Sequence, residues 1–365
     1  MAEGEAAAWR FVSAVALPFI IASLLVTARV TAWAGNEVVF PRPKVVEPNV
    51  EFWVKVFTRY TSRDFIIFDR DDVSRVYQVM HLPGDGDPTS NDVNWTNAYL
   101  KTKYGNILNR LAAGAKPMSF EEQQVAALFH NPSPSVYAQA AQNLRVQQGL
   151  RDRFREGLLR SRYYRPTMER IFRAAGLPVE LVTLAEVESG FYPGARSGAG
   201  AVGIWQFTRS TGKQFLRINR RYDERLNPIR ETQAAAQLLR YNYDVLGNWP
   251  LAITAYNYGT YGTAQAAEMY DNDYAQVFKN FDGPHFGFAA KNYYSEFLAA
   301  LEVSRHEAEY FPGIEYDSIA PPPQPSTVLW HSSRARIRRV AAHRRSHSCT
   351  GRCTVSRHSR RIAES

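Results

Sequence analysis

The feature that most limits what this chain can become is a carboxylate on the apolar stripe of a short helix. Gly176 can end one helix and Pro178 can open the next, because a proline in the first turn lacks only an N–H that has no partner there. The segment 179–189 has helical periodicity and runs into Gly190. At about 100° per residue, Glu188 falls on the face of Leu181, Leu184 and Ala185. A charge among apolar side chains costs stability unless it is paired or neutralised, and the last turn of a helix adds the unfavourable end of the dipole. Both effects predict a raised pKa, which suits a carboxylic acid that donates a proton near neutral pH. The competing reading is a buried glutamate bonded to a structural partner. Glu186, two residues earlier, points about 160° away and reads as structural or loop-facing.

The residues after Glu188 favour chemistry. A run rich in glycine and alanine lets the backbone approach a ligand, and Trp205 and Gln206 then offer a stacking face and an amide. Farther on stand Ala255-Tyr256-Asn257-Tyr258-Gly259 and Asn292-Tyr293-Tyr294. Glu188-Ser189 closing a helix, Ser197 nine residues after the glutamate, and Gly203-Ile204-Trp205-Gln206 ending eighteen residues after it occur in order with these later pieces over residues 177–308. This pattern resembles the soluble-lytic-transglycosylase domain of the lysozyme-like superfamily, and looks most like the D-type membrane-bound members. Two departures stand out: Glu186 occupies a place where the family usually has an apolar residue, and no C-terminal peptidoglycan-binding repeat is visible.

The resemblance implies cleavage of peptidoglycan glycan strands at the bond between N-acetylmuramic acid and N-acetylglucosamine, with closure of a 1,6-anhydro ring and no cofactor or metal. It implies Glu188 as the single acid and base. Ser197 would contact the sugar acetamido group or steady the glutamate. Gln206 with Trp205 would line the sugar subsite, with Ser189 and Gly203 beside them. Tyr256 and Asn257 would shape the groove floor, and Tyr293 would hydrogen-bond near Glu188. For each tyrosine the plainer reading is core packing with a satisfied hydroxyl. Two rival functions are a goose-type lysozyme-like hydrolase and a non-catalytic peptidoglycan-binding scaffold.

The fold expected is all-α: a lysozyme-like helical domain over 166–310, preceded by a mostly helical region over 35–165. Helices are expected at 232–246, 250–257 and 288–308, a short strand at Asp64–Phe68, and a loop from His81 to Asn94. Residues 1–34 read as an export signal, cleaved after Ala32-Trp33-Ala34 or kept as a membrane anchor, which places the rest in the periplasm or cell envelope. Residues 311–365 read as a proline-rich linker and a disordered basic tail. The net charge of +9 resides in that tail: from Ser326 onward it holds ten arginines against Glu364 alone, so the remainder is neutral and no nucleic-acid partner is implied. The tail could touch a membrane or an anionic envelope polymer. Cys349 and Cys353 both lie in it, so no disulfide framework holds the core. Oligomeric state is left open.

Overall fold

The computed structural model describes residues 38–314. The leader expected at 1–34 and the tail beyond 314 lie outside the described residues. Among those residues no helix is long and apolar enough to cross a membrane. The architecture is mostly helical, as expected, with one small sheet added to it.

Helix α1 (Glu47–Thr58) opens the fold and buries Val50, Trp53, Val56 and Phe57. The sheet follows: β1 (Asp64–Asp69), β2 (Asp72–His81) and, after three helices, β3 (Leu144–Gln148), in the order β2-β1-β3 and antiparallel throughout. The Asp64–Phe68 expectation therefore marks the central strand, and its two neighbours are the part the all-α reading lacked. β1 is apolar from Phe65 to Phe68, between its terminal aspartates, because both its faces are covered. Phe65 and Ile67 enter a small core closed by Leu100, Tyr104 and Leu108, while Ile66 and Phe68 enter the main core.

Three helices connect β2 to β3: α2 (Ser90–Ala112), α3 (Phe120–Ala127) and α4 (Pro134–Gln142). The loop expected up to Asn94 stops at Thr89. Thr89 and Asp92 cap each other's backbone N–H groups, and this reciprocal box starts α2 inside the polar stretch.

Helix α5 (Arg151–Ala174) carries Pro166 in its interior, so the boundary expected between 165 and 166 falls within one continuous helix. The two regions also share a core. Asn49 Nδ2 donates to Asn292 Oδ1 at 2.7 Å, Tyr294 donates to the Pro41 carbonyl at 2.7 Å, and Phe40 sits edge-on to Phe297 at 5.0 Å. Each buried ring of this kind contributes about 1.5–3 kcal/mol by leaving water.

The segment 179–189 is helical as expected, but in two pieces. Val179–Thr183 is a tight 3₁₀ turn and only Leu184–Ser189, here α6, is α-helical. After the short α7 (Arg209–Gly212) come α8 (Pro228–Leu246) and α9 (Trp249–Tyr258). Each of these two has proline at its first or second position and an asparagine cap: Asn227 accepts from Ile229 and Arg230, and Asn248 accepts from Leu251. Helices α10 (Thr260–Met269) and α11 (Tyr274–Asn280) lead to α12 (Phe288–Arg305), which runs through the middle of the main core with Tyr294, Phe297, Ala299 and Ala300 fully enclosed. The short α13 (Glu307–Tyr310) follows.

Candidate active site

Helix α6 is anchored by Leu181, Leu184 and Ala185, all fully buried, so the face the sequence assigns to the core is the core face. Gly190 ends the helix in a left-handed conformation at φ +55, and its carbonyl accepts Arg160 Nε at 2.7 Å. Glu188 lies in the last turn, half-buried, and Tyr293 of α12 donates its hydroxyl to Glu188 Oε1. Burial pushes the Glu188 carboxyl up to about 7, while the Tyr293 hydrogen bond favours the ionised form and pulls the other way. Tyr293 itself is held far above the ordinary tyrosine range, by burial first and then by the neighbouring Glu188 charge, so it remains a donor.

Tyr256 of α9 lies beside this pair. Its ring is parallel to that of Tyr293 at 6.3 Å, and its hydroxyl donates to the Trp205 carbonyl at 2.8 Å. Ser189 ties the helix end to the same loop: its hydroxyl donates to the Ile204 carbonyl at 2.8 Å and accepts the Tyr192 N–H at 3.1 Å. Gln206 has φ +50, an uncommon conformation for a residue with a side chain, and its amide donates to the Gly203 carbonyl at 2.8 Å.

Trp205 is a correction. Its ring is fully enclosed, stacked on Phe172 at 5.4 Å, and its indole N–H donates to Thr232 Oγ1 at 3.0 Å. A ring inside the core cannot stack on a sugar; what Trp205 offers the site is its backbone carbonyl. Ser197 is exposed and its hydroxyl accepts the Ala201 N–H at 3.0 Å, closing a surface turn. Asn257 is exposed at the end of α9. Neither hydrogen-bonds to Glu188, Tyr256 or Tyr293 among the described residues, so the residues brought together around the acid are Tyr293, Tyr256 and the 203–206 loop.

Three carboxyls not singled out in the sequence as partners of Glu188 belong to its surroundings. Glu231 of α8 is buried and accepts the Ile204 N–H at 2.7 Å. Burial raises its pKa well above the usual range, against the pull of the N–H groups of Trp205, Ile204 and Phe207. Glu296 of α12, one turn after Tyr293, is pushed up to about 8 by burial and then by the charge of Glu188, with Arg145 opposing. Glu186 is buried rather than loop-facing. Neither of its oxygens has a hydrogen-bond partner, and it fits because Gly157 of α5 has no side chain to occupy the same space. Burial pushes it up to about 8, with Arg160 and Arg165 opposing.

A cleft of about 480 Å³ opens at this point. Residues 186–190 and Tyr192 line it together with Phe57, Leu150, Arg153, Phe154 and Arg160. The region before residue 166 thus supplies part of the cavity that Glu188 lines. Among the described residues no group of three or more His, Cys, Asp or Glu is placed to hold a metal ion.

Residues 170–278 match the family described as the Transglycosylase SLT domain. Over 85 residues the chain is 46% identical to membrane-bound lytic murein transglycosylase D of Escherichia coli strain K12, and equally to the protein of the same name from strain O6:H1; the match takes in 23% of this chain and 19% of each relative. The chain thus matches about a fifth of the length of these curated relatives. A solved structure of an inactive mutant of lytic transglycosylase Slt from Pseudomonas aeruginosa overlaps with a TM-score of 0.33 at 21% identity, over 46% of this chain and 26% of that one. The stretch that matches the transglycosylase SLT domain contains Glu188, Ser189, Gln206 and Tyr256, and Tyr293 lies beyond it.

Proposed function

We propose that this chain is a peptidoglycan lytic transglycosylase in which Glu188 serves as both general acid and general base. The observation that carries this reading is the hydrogen bond from Tyr293 to Glu188 at the wall of an open cleft, with the acid poised at about 7. Protonated Glu188 donates to the glycosidic oxygen between N-acetylmuramic acid and N-acetylglucosamine, and positive charge develops at the muramyl C1. The carboxylate so formed then takes the proton of the muramyl C6 hydroxyl, whose oxygen closes on C1. One C–O bond breaks and one forms within the same sugar, the proton is returned to Glu188, and no water is consumed. Intramolecular closure competes well with hydrolysis because a held hydroxyl has a high effective concentration.

A hydrolase reading has one observation in its favour: Glu296, a second carboxyl close enough for its pKa to register the Glu188 charge. As the base that inverting glycosidases require, Glu296 would first have to lose the proton it holds at neutral pH. Mass analysis of muropeptides released from purified sacculi separates the two. The transglycosylase gives muramyl ends lighter by one water than the reducing ends of a hydrolase, and reducing ends alone would overturn the proposal. An envelope location, reached through the leader, and contact of the arginine-rich tail with anionic polymers belong to the same proposal.

Tyr293→Phe tests the donor. Without the hydroxyl the ionised form of Glu188 loses support, so its pKa rises further above 7 and the alkaline limb of the rate profile moves to higher pH. The rate at neutral pH is expected to fall about tenfold, because the acid loses its orienting partner. An unshifted limb in kcat against pH would mean that the hydroxyl does not set the acid.

A further inference from the structure

Helix α2 holds two large rings in water. Trp95 and Tyr99 are 58% and 41% exposed, and their rings stack parallel at 5.2 Å. At about 100° per residue, Asn91, Trp95, Ala98, Tyr99, Thr102 and Asn106 fall within about 60° of one line, and all are exposed. The strip has no charge of its own. The charges at its edges are engaged elsewhere: Asp92 accepts the Thr89 N–H, Lys103 pairs with Glu121 at 2.6 Å, and Arg110 pairs with Glu122 at 3.2 Å. The strip also starts near the mouth of the cleft. Asp87 lines the cleft, and Asn91 follows four residues later, at most about 14 Å away. Arg63 fixes the turn before them: Nε donates to the Leu82 carbonyl at 2.7 Å and Nη1 to the Gly86 carbonyl at 2.8 Å. From Asn91 to Asn106 the strip runs about 22 Å along the helix.

We propose that this strip is a second glycan-binding site, on which the Trp95–Tyr99 pair and the asparagine amides hold the strand beyond the cleft. The inference rests on the peptidoglycan reading above. The C–H face of a hexosamine ring packs on an aromatic ring, and its hydroxyl and acetamido groups bond to side-chain amides. A neutral strip matches the uncharged sugar backbone rather than charged peptides or an anionic polymer. A protein partner fits less well. Two rings of this kind bury about 150–250 Å² each when fully covered, against about 800 Å² per partner in a stable interface. A linear strand needs only a narrow track that continues the one it already occupies.

The experiment measures KM on long glycan strands stripped of peptide and on an oligomer short enough to end within the cleft. It uses the full chain and its Trp95→Ala and Trp95→Phe variants. The ratio of KM for long strands to KM for the oligomer is expected to rise about tenfold in Trp95→Ala, equivalent to about 1.4 kcal/mol of strand binding. It should stay near the original value in Trp95→Phe, which keeps a ring. The rise should be the same at low and high salt, because no charge pair is lost. An unchanged ratio, or an equal loss on both substrates, overturns the second site while leaving the transglycosylase reading intact. An unchanged ratio together with a halved mass of Trp95→Ala in solution overturns it in favour of a contact between two copies of this chain. Inactivity of the unaltered chain on both substrates defeats the transglycosylase reading and this one with it.

Discussion

Replacing Glu188 with Gln is expected to lower the release of muropeptides from sacculi by about 10²–10⁴-fold, the range that a positioned acid–base group contributes, and to raise stability at alkaline pH. The two effects share one cause. Burial lifts the Glu188 carboxyl from its ordinary 4.5 to about 7 in the folded chain. A raised carboxyl means that the folded state holds a proton which the unfolded state releases between those two values. The stabilisation is fully present below pH 4.5 and is lost as pH rises to 7, by on the order of 2–3 kcal/mol after allowance for the partial exposure of the residue. Gln does not titrate, so the variant escapes this loss. Denaturant melts at pH 4 and pH 8 should therefore show Glu188→Gln gaining on the original chain as pH rises. A variant that loses activity and also loses stability equally at both pH values would point to a structural glutamate, the competing reading of the same position. The activity profile follows the same titration: as acid, Glu188 must enter the reaction protonated, so the rate should decline as pH climbs through about 7.

How far the sequence foretold this site depends on whether each feature is local. The burial of Leu181, Leu184 and Ala185, the stop at Gly190 and the position of Glu188 in the last turn are short-range consequences of periodicity and capping, and each was legible. Helices α8 and α9 were expected at 232–246 and 250–257, but the Asn227 cap and Pro228 start α8 four residues earlier than periodicity placed it. The approach of Tyr293 to Glu188 follows from resemblance alone, because nothing in the spacing of residues 188 and 293 requires it. Strand β2 carries Arg75 and Gln78 among its apolar residues and pairs with a strand whose two faces are both covered, so no clean alternation announces it. Trp205 shows a different limit. An aromatic ring fits a sugar platform and a core equally well, and only the position of Phe172 and Thr232 decides for the core. Glu231, Glu296, Arg153 and Arg160 reach the site from distant elements, where a surface glutamate or arginine has the same local signature.

Gly203→Ala is expected to destabilise the chain by about 2–5 kcal/mol, the sum of left-handed backbone strain and overpacking, and to abolish activity in whatever fraction stays folded. Gly203 has φ +91, where a side chain strains the backbone wherever it points. A Cβ there would also collide with the Arg225 carbonyl and with both carboxyl oxygens of Glu231. The carbonyl cannot swing away as a side-chain tip could. Glu231 is needed where it is, since it accepts the Ile204 N–H at 2.7 Å in a dry environment; displacing it strands a buried donor and a buried acid together. The loop it fixes presents the Trp205 carbonyl to Tyr256 and sets the unusual backbone of Gln206, so a shift there reaches the ring beside Tyr293. Gly200→Ala isolates the collision from the strain. Gly200 has a similar φ of +83 but open space around the missing Cβ, and should cost only the backbone share, about 1–2 kcal/mol. Thermal melts of the two variants should therefore differ by roughly 5–10 °C, with Gly203→Ala the lower. Equal melting temperatures would mean that the 203–206 loop yields freely, and that Glu231 does not hold the floor on which the acid and its tyrosine are set.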